Sequence, residues 1–233
     1  MTDTLVLWDL DLTLLDPAGF GTRMIAPTLA DFLGRNPVMG ASFAGRTDRA
    51  ILTDLLERNG VDADDDKVVL SLMDAVARRC EMFGDDLLTG GGGPLPGAHE
   101  AVAALAADPG VHQGIVTGNM RRTALLKLRL CGFDGLPDPT LGAFGDHHAD
   151  RAHLVRAAVD AARARGLSVS VEHSVVVGDH VHDVRGALDA GARCVAVATG
   201  RVSADELRAS GALVVLPDLT DPEALRSAVR IRA

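Results

Sequence analysis

LVLWDLDLTLLD, residues 5–16, decides the fold. An unbroken apolar run from Leu5 to Trp8 leads into Asp9, one residue, and Asp11, with Thr13 just beyond. A short continuous apolar run predicts a strand covered on both faces, the habit of parallel sheets. Burying an unpaired carboxylate is costly. The two acids therefore either face solvent at a plain turn or stand opposite a positive charge.

Working outward, the rhythm changes after Asp16. Residues 20–34, 47–59 and 65–83 have helical spacing, with Thr47 placed to cap the second stretch and Asn59-Gly60 to end it. Acids open the third stretch and Arg78 and Arg79 lie near its end, as a helix dipole favours. Residues 17–88 read as wholly helical. TGGGGPLPG, residues 89–97, is the strongest linker signal in the chain. Thereafter helices and apolar strands alternate: helices at 98–107, 120–131, 150–165, 181–190, 203–210 and 221–229, and strands at 112–118, 173–179, 193–199 and 213–216. This alternation predicts a Rossmann-like α/β core with a parallel sheet between two helix layers. Strand 5–8 is too apolar to stand outside that sheet. The domain expectation is thus a core of 1–16 and 95–233, an all-helical insertion at 17–94, and a hinge at 89–97 with help from 16–19.

In an open parallel sheet, ligands bind beyond the carboxyl ends of the strands. Three strand ends carry suggestive residues. The first gives Asp9, Asp11 and Thr13; the second gives Thr117, Gly118 and Asn119; the third gives Gly178, Asp179 and, one helical turn on, Asp183. Four carboxylates in one small volume repel one another unless a cation joins them. An oxygen-only donor set with no nearby cysteine suits Mg²⁺. Thr117-Gly118-Asn119 adds a hydroxyl, a close-approach glycine and helix N-terminal amides, which together form an anion cradle. A metal on one side and an anion cradle on the other describe the surroundings of a phosphoryl group.

Composition narrows the partners. The 233 residues are 47% hydrophobic, enough for a sizeable core. A formal charge of −9, with Lys67 and Lys127 the only lysines, argues against a nucleic-acid partner. No apolar run is long enough for a membrane helix. The N-terminus reads as a strand and not as a signal peptide. Cys80, Cys131 and Cys194 are sparse and odd in number, which fits a reducing cytoplasm better than a disulfide framework.

DLDLT (9–13), VTGN (116–119) and GDHVHD (178–183) resemble the motifs of the haloacid dehalogenase-like (HAD) hydrolase superfamily. The helical insertion after the first motif resembles its C1-type cap, and the phosphoglycolate phosphatase-like branch is the most similar. The resemblance implies a Mg²⁺-dependent phosphatase of a small phosphorylated metabolite, such as a phosphoglycolate-like compound or a sugar phosphate. It makes Asp9 the nucleophile that becomes an aspartyl phosphate, and Asp11 the general acid and base. It gives the metal to Asp9, the Asp11 carbonyl, Asp179 and, from behind, Asp183. Thr117 and the amides of Gly118 or Asn119 would bind phosphoryl oxygens, and Thr13 would orient the first loop.

The family's usual lysine before the last motif is missing. Arg151 stands near its place, while Lys127, on the helix directly after VTGN, stands too early. In the insertion, Arg46, Thr47 and Asp48 open a helix that can reach over the site, with Arg46 the expected substrate contact. His147, His148, His180 and His182 read as loop residues. A phosphomutase uses the same acids and stays open as an alternative, as does a non-catalytic phosphoryl binder. A dehalogenase has little use for Asp11 and the last motif. A phosphonatase needs a cap lysine, and Lys67 sits in an acidic run. Monomer and homodimer are equally compatible with the sequence.

Overall fold

The computed structural model describes residues 3–40 and 43–231. Its centre is a six-stranded, all-parallel sheet. In chain order the strands are β1 (Thr4–Trp8), β4 (Val111–Thr117), β5 (Ala143–Phe144), β6 (Ser174–Gly178), β7 (Arg193–Val197) and β8 (Val214–Leu216). Their spatial order is β5-β4-β1-β6-β7-β8. The apolar run of 5–8 is explained by that order. β1 lies between β4 and β6 and pairs with both, so neither edge meets water.

Alternation sends successive side chains to opposite faces. Val6 and Trp8 join Ile115, Val175, Val177, Val195 and Val197 in one apolar cluster. Leu5 and Leu7 join Val116, Val176, Cys194 and Ala196 in the other. The first face is covered by α5 (Ala98–Ala106), α6 (Arg121–Leu130) and α10 (Pro222–Arg230), and the second by α7 (Arg151–Ala164), α8 (Val181–Ala190) and α9 (Ala204–Ala209). The indole of Trp8 is fully buried, and its Nε1 donates to Gln113 Oε1 at 2.9 Å. Gln113 in turn donates to the Val102 carbonyl at 3.0 Å, so this polar pair under the sheet is satisfied.

Between the first strand and α5 the described residues form four helices: α1 (Phe20–Leu33), α2 (Asp48–Arg58), α3 (Asp66–Met82) and the short α4 (Asp86–Thr89). Thr47 caps α2 by accepting from the Ala50 amide, and Asp65 caps α3 by accepting from Lys67. Two elements within this region went unforeseen. Leu15–Asp16 (β2) and Gly93–Pro94 (β3) pair antiparallel, so the chain leaves and re-enters the sheet region through a two-stranded ribbon. The glycine-rich stretch is thus partly strand and partly α4, not a plain linker. Ties from the helices to the sheet are direct. The Asp48 amide donates to the Gly118 carbonyl at 2.7 Å and the Arg49 amide to Gly145 at 3.2 Å. Arg122 on α6 reaches Glu81 and Asp74 on α3. No helix among the described residues is long and apolar enough to cross a membrane.

Candidate active site

The strand order reverses around β1, and the carboxyl ends of β1, β4 and β6 converge there. Asp9 directly follows β1, and its amide donates to the Val177 carbonyl at 2.9 Å, which extends the β6 pairing by one step. The next residues turn sharply. The amides of Thr13, Leu14 and Leu15 all point at the Leu10 carbonyl, and Leu12 adopts a positive φ of 63°. A left-handed leucine is uncommon and needs support. Thr199 supplies some, donating to the Leu12 carbonyl at 2.5 Å. This turn buries Thr13, whose hydroxyl lies 3.4 Å from Asp179 Oδ1.

Asp179 follows β6, and α8 starts two residues later. His180 caps that helix and Asp183 closes a capping box, accepting from the His180 amide at 3.1 Å. The cap explains why Asp183 points back at the strand ends. Oxygens of Asp9, Asp179 and Asp183 lie within 4.8 Å of one another, and all three residues are buried. Two glycines admit this crowding. A Cβ at Gly178 would collide with the Asp183 carboxyl, and one at Gly200 with that of Asp179.

Charge balance comes from Arg151, at the start of α7. It pairs with Asp183 and lies 3.5 Å from Asp9 Oδ1. One cation does not neutralise three carboxylates. Burial, then the charge of Asp183, pushes Asp9 up to about 7 against the pull of Arg151. Burial, then Asp183 and Asp9, pushes Asp179 up to about 8. Burial also raises Asp183, with Arg151 opposing. Asp9 Oδ1 is buried with no hydrogen-bond partner among the described residues. An under-compensated, oxygen-only cluster with an orphaned carboxylate oxygen fits a hard divalent cation.

Thr117, Gly118 and Asn119, the residues expected to cradle an anion, follow one another at the end of β4. The Asn119 side-chain amide donates to Thr117 Oγ1 at 3.0 Å, and the backbone amide lies 3.3 Å from the same oxygen. The Thr117 hydroxyl in turn helps hold Asp9 ionised. Gly118 has no room for a side chain, because a Cβ there would strike the Arg46 carbonyl.

Two expectations need correction. Lys127 is not too early for the site. Its Nζ lies 2.7 and 2.6 Å from the two oxygens of Asp11 and 2.7 Å from Asn119 Oδ1, and the residue is 1% exposed. The signal was present: Asn119, Thr123 and Lys127 recur every four residues, so a helix starting near Met120 brings them to one side. The Asp11 side chain accordingly stands outside the cluster of Asp9, Asp179 and Asp183. Arg46 is the second correction. It borders the site, but its guanidinium turns to Asp54 at 3.1 Å and to the Ala50 carbonyl at 3.1 Å, while Thr47 serves as a helix cap. Of that group Asp48 matters most. Its Oδ2 accepts from the Met120 amide at 2.7 Å, and burial pushes its carboxyl up to about 6. His180 and His182 stack at 4.9 Å beside Gly45, and His148 stacks on His153 at 4.2 Å.

Comparison with known proteins bears on the fold. Residues 151–222, which carry Arg151, Asp179 and Asp183, match the HAD-hydrolase-like family model. The fold is that of the HAD-like hydrolases. Similar solved structures include a hydrolase from Pseudomonas syringae, at 21% identity and a TM-score of 0.69 over 99% of this chain and 100% of the other. Another is a predicted phosphatase from Clostridium acetobutylicum, at 20% identity and a TM-score of 0.70 over 98% and 99%. A HAD family hydrolase from Deinococcus radiodurans, described with bound phosphate and sodium, matches at 24% identity and a TM-score of 0.55 over 98% and 95%. No curated protein matches in sequence.

Proposed function

We propose that the protein is a Mg²⁺-dependent phosphatase of small phosphomonoesters that works through an aspartyl phosphate on Asp9. The observation that carries this reading is the setting of Asp9. Its orphaned oxygen lies among two further buried acids, a guanidinium and the Thr117–Asn119 cradle. Asp9, Asp179, the Asp11 carbonyl and, from behind, Asp183 would hold the ion. When bound, it would neutralise the acids and stabilise charge on the phosphoryl oxygens.

Asp9 attacks phosphorus and the ester P–O bond breaks. Asp11, once parted from Lys127 and protonated by solvent, gives that proton to the departing oxygen, then takes one from the water that attacks the phosphoryl-aspartate, so phosphate leaves, Asp9 is restored and Asp11 is again the acid. To act as an acid, Asp11 must let go of Lys127. That ammonium then faces the phosphoryl anion, so one lysine holds the acid at rest and answers charge during transfer. Thr117, Asn119 and Arg151 orient the phosphoryl group.

On this reading, 17–94 form a cap over a core of 1–16 and 95–233, and the β2–β3 ribbon with Pro17–Gly19 is the pivot. Closure of the cap would exclude bulk water. Three buried free cysteines support a cytoplasmic setting. The test is release of p-nitrophenol and phosphate from p-nitrophenyl phosphate with Mg²⁺ and with chelator. Metal-dependent release by wild type, lost in Asp9→Asn, is expected. Absence of release by folded, Mg²⁺-loaded protein from every ester tried would contradict the reading and favour a phosphomutase or a non-catalytic binder.

A further inference from the structure

The carboxylate rim opens into a cavity of about 540 Å³ under the helices. That is more room than a phosphoryl group and a two-carbon alcohol need. Its far wall is built from Ile25, Ala26, Met39, Phe43, Ile51 and Val76. These belong to α1, the segment after it, α2 and α3, and they supply no side-chain hydrogen-bond donor.

The polar groups that line the cavity are mostly engaged. Lys127 holds Asp11 and Asn119. Arg46 holds Asp54 and the Ala50 carbonyl. Arg151 holds Asp183 and Asp9. Asp48 accepts from Met120 and presents a carboxyl, which repels a second carboxylate. Arg201 is exposed, so it stands at the mouth. What is left fully buried is the Thr123 hydroxyl, while the exposed Thr22 hydroxyl and the half-buried His180 ring also line the cavity. Thr123 lies beside the Cys80 thiol and its hydroxyl has no conventional hydrogen-bond partner among the described residues.

We infer that the alcohol portion of the substrate is apolar, an alkyl or aryl group of several carbons with at most one polar atom, which Thr123 meets. This rests on the phosphatase reading above and names its substrate class. Phosphoglycolate would bring a carboxylate toward Asp48, while the buried cations of the cavity, Lys127 and Arg151, are already held by Asp11, Asn119, Asp183 and Asp9. A sugar phosphate would strand several hydroxyls against the apolar wall, and unpaired polar groups are rejected strongly in such a site.

The test compares kcat/KM of the full chain with Mg²⁺ on methyl, n-hexyl and phenyl phosphate, phosphoglycolate and glucose 6-phosphate. Hexyl and phenyl phosphate are expected to exceed phosphoglycolate and glucose 6-phosphate by at least about 10-fold, since a single methylene in an apolar pocket is worth that much or more. In Met39→Gln and Val76→Thr, both close in volume to the native residue, the hexyl-to-methyl ratio should fall. Calorimetry with n-hexylphosphonate and phosphonoacetate gives a readout independent of turnover, and the hexyl compound should bind more tightly. Robust release with phosphoglycolate or glucose 6-phosphate preferred would overturn the inference and keep the phosphatase. No release from any ester would overturn both.

Discussion

Replacing Lys127 with methionine removes the ammonium that ties Asp11 and Asn119 together while keeping the bulk of the side chain. The structure sets the size of the effect. Three oxygens lie within 2.7 Å of a nitrogen on a residue that is 1% exposed. Breaking a buried ion pair from one side costs about 3–5 kcal/mol. The Asp11 side chain is 33% exposed, so water recovers part of that loss. Methionine also avoids the cost of burying a charge. The net loss for Lys127→Met is therefore about 1–3 kcal/mol. Removing both charges should be gentler than the sum, because no carboxylate is then left without its partner. In urea unfolding, the cycle Lys127→Met, Asp11→Asn and the double variant should show a coupling of about 1–2 kcal/mol. Turnover by Lys127→Met should fall about 10²–10³-fold, the usual cost of losing one charge-stabilising donor. Additive stabilities with full turnover would refute the pairing and the role argued from it.

Asp48→Asn should stabilise the protein near neutral pH. The native carboxyl titrates near 6, above its unfolded value, so the fold binds the proton more tightly than the unfolded chain. Stability contributed below pH ~4 is then lost as pH rises to ~6, by up to about 3 kcal/mol. Asparagine still accepts from Met120, so chemical melts should show a flatter pH profile between 4 and 6 and a gain of about 1–3 kcal/mol at pH 7. The same sign applies to Asp9 and Asp179, which titrate near 7 and 8. Chelated protein should thus weaken from pH ~4 toward ~8, and Mg²⁺ should raise the Tm more at pH 8 than at pH 5.5, where it must displace protons. Gly118→Ala should push the Arg46–Thr47 segment off the β4 end, costing about 1–3 kcal/mol in urea melts and lowering kcat/KM.

The sheet was legible because each central strand is a bare apolar run, and its position between neighbours requires that. LVLW, IVTG and SVVVG are buried on both faces and lead directly into Asp9, Asn119 and Asp179. The meeting of Asp9, Thr117, Asp179 and Asp183 followed from the strand ends alone. The β2–β3 ribbon and β5 are two residues each, too short for any periodicity to register. Lys127 was misjudged because its place depends on how α6 rotates against the sheet, a tertiary fact that only the four-residue spacing of Asn119, Thr123 and Lys127 hinted at. Arg46 was misread for the converse reason. Asp54, eight residues on, captures its guanidinium within the same helical region. The apolar far wall assembles from α1, α2 and α3, and no single stretch of sequence displays it.

The central claim is that Asp9 carries the phosphoryl group. The most direct measurement is peptide mass analysis after acid quench of Asp11→Asn mixed with Mg²⁺ and p-nitrophenyl phosphate, since loss of the general base slows hydrolysis of the intermediate. One phosphoryl group is expected on the peptide that contains Asp9, and none when Asp9→Asn is added. Release of p-nitrophenol with an unmodified chain, or with the phosphoryl group on another residue, would contradict it.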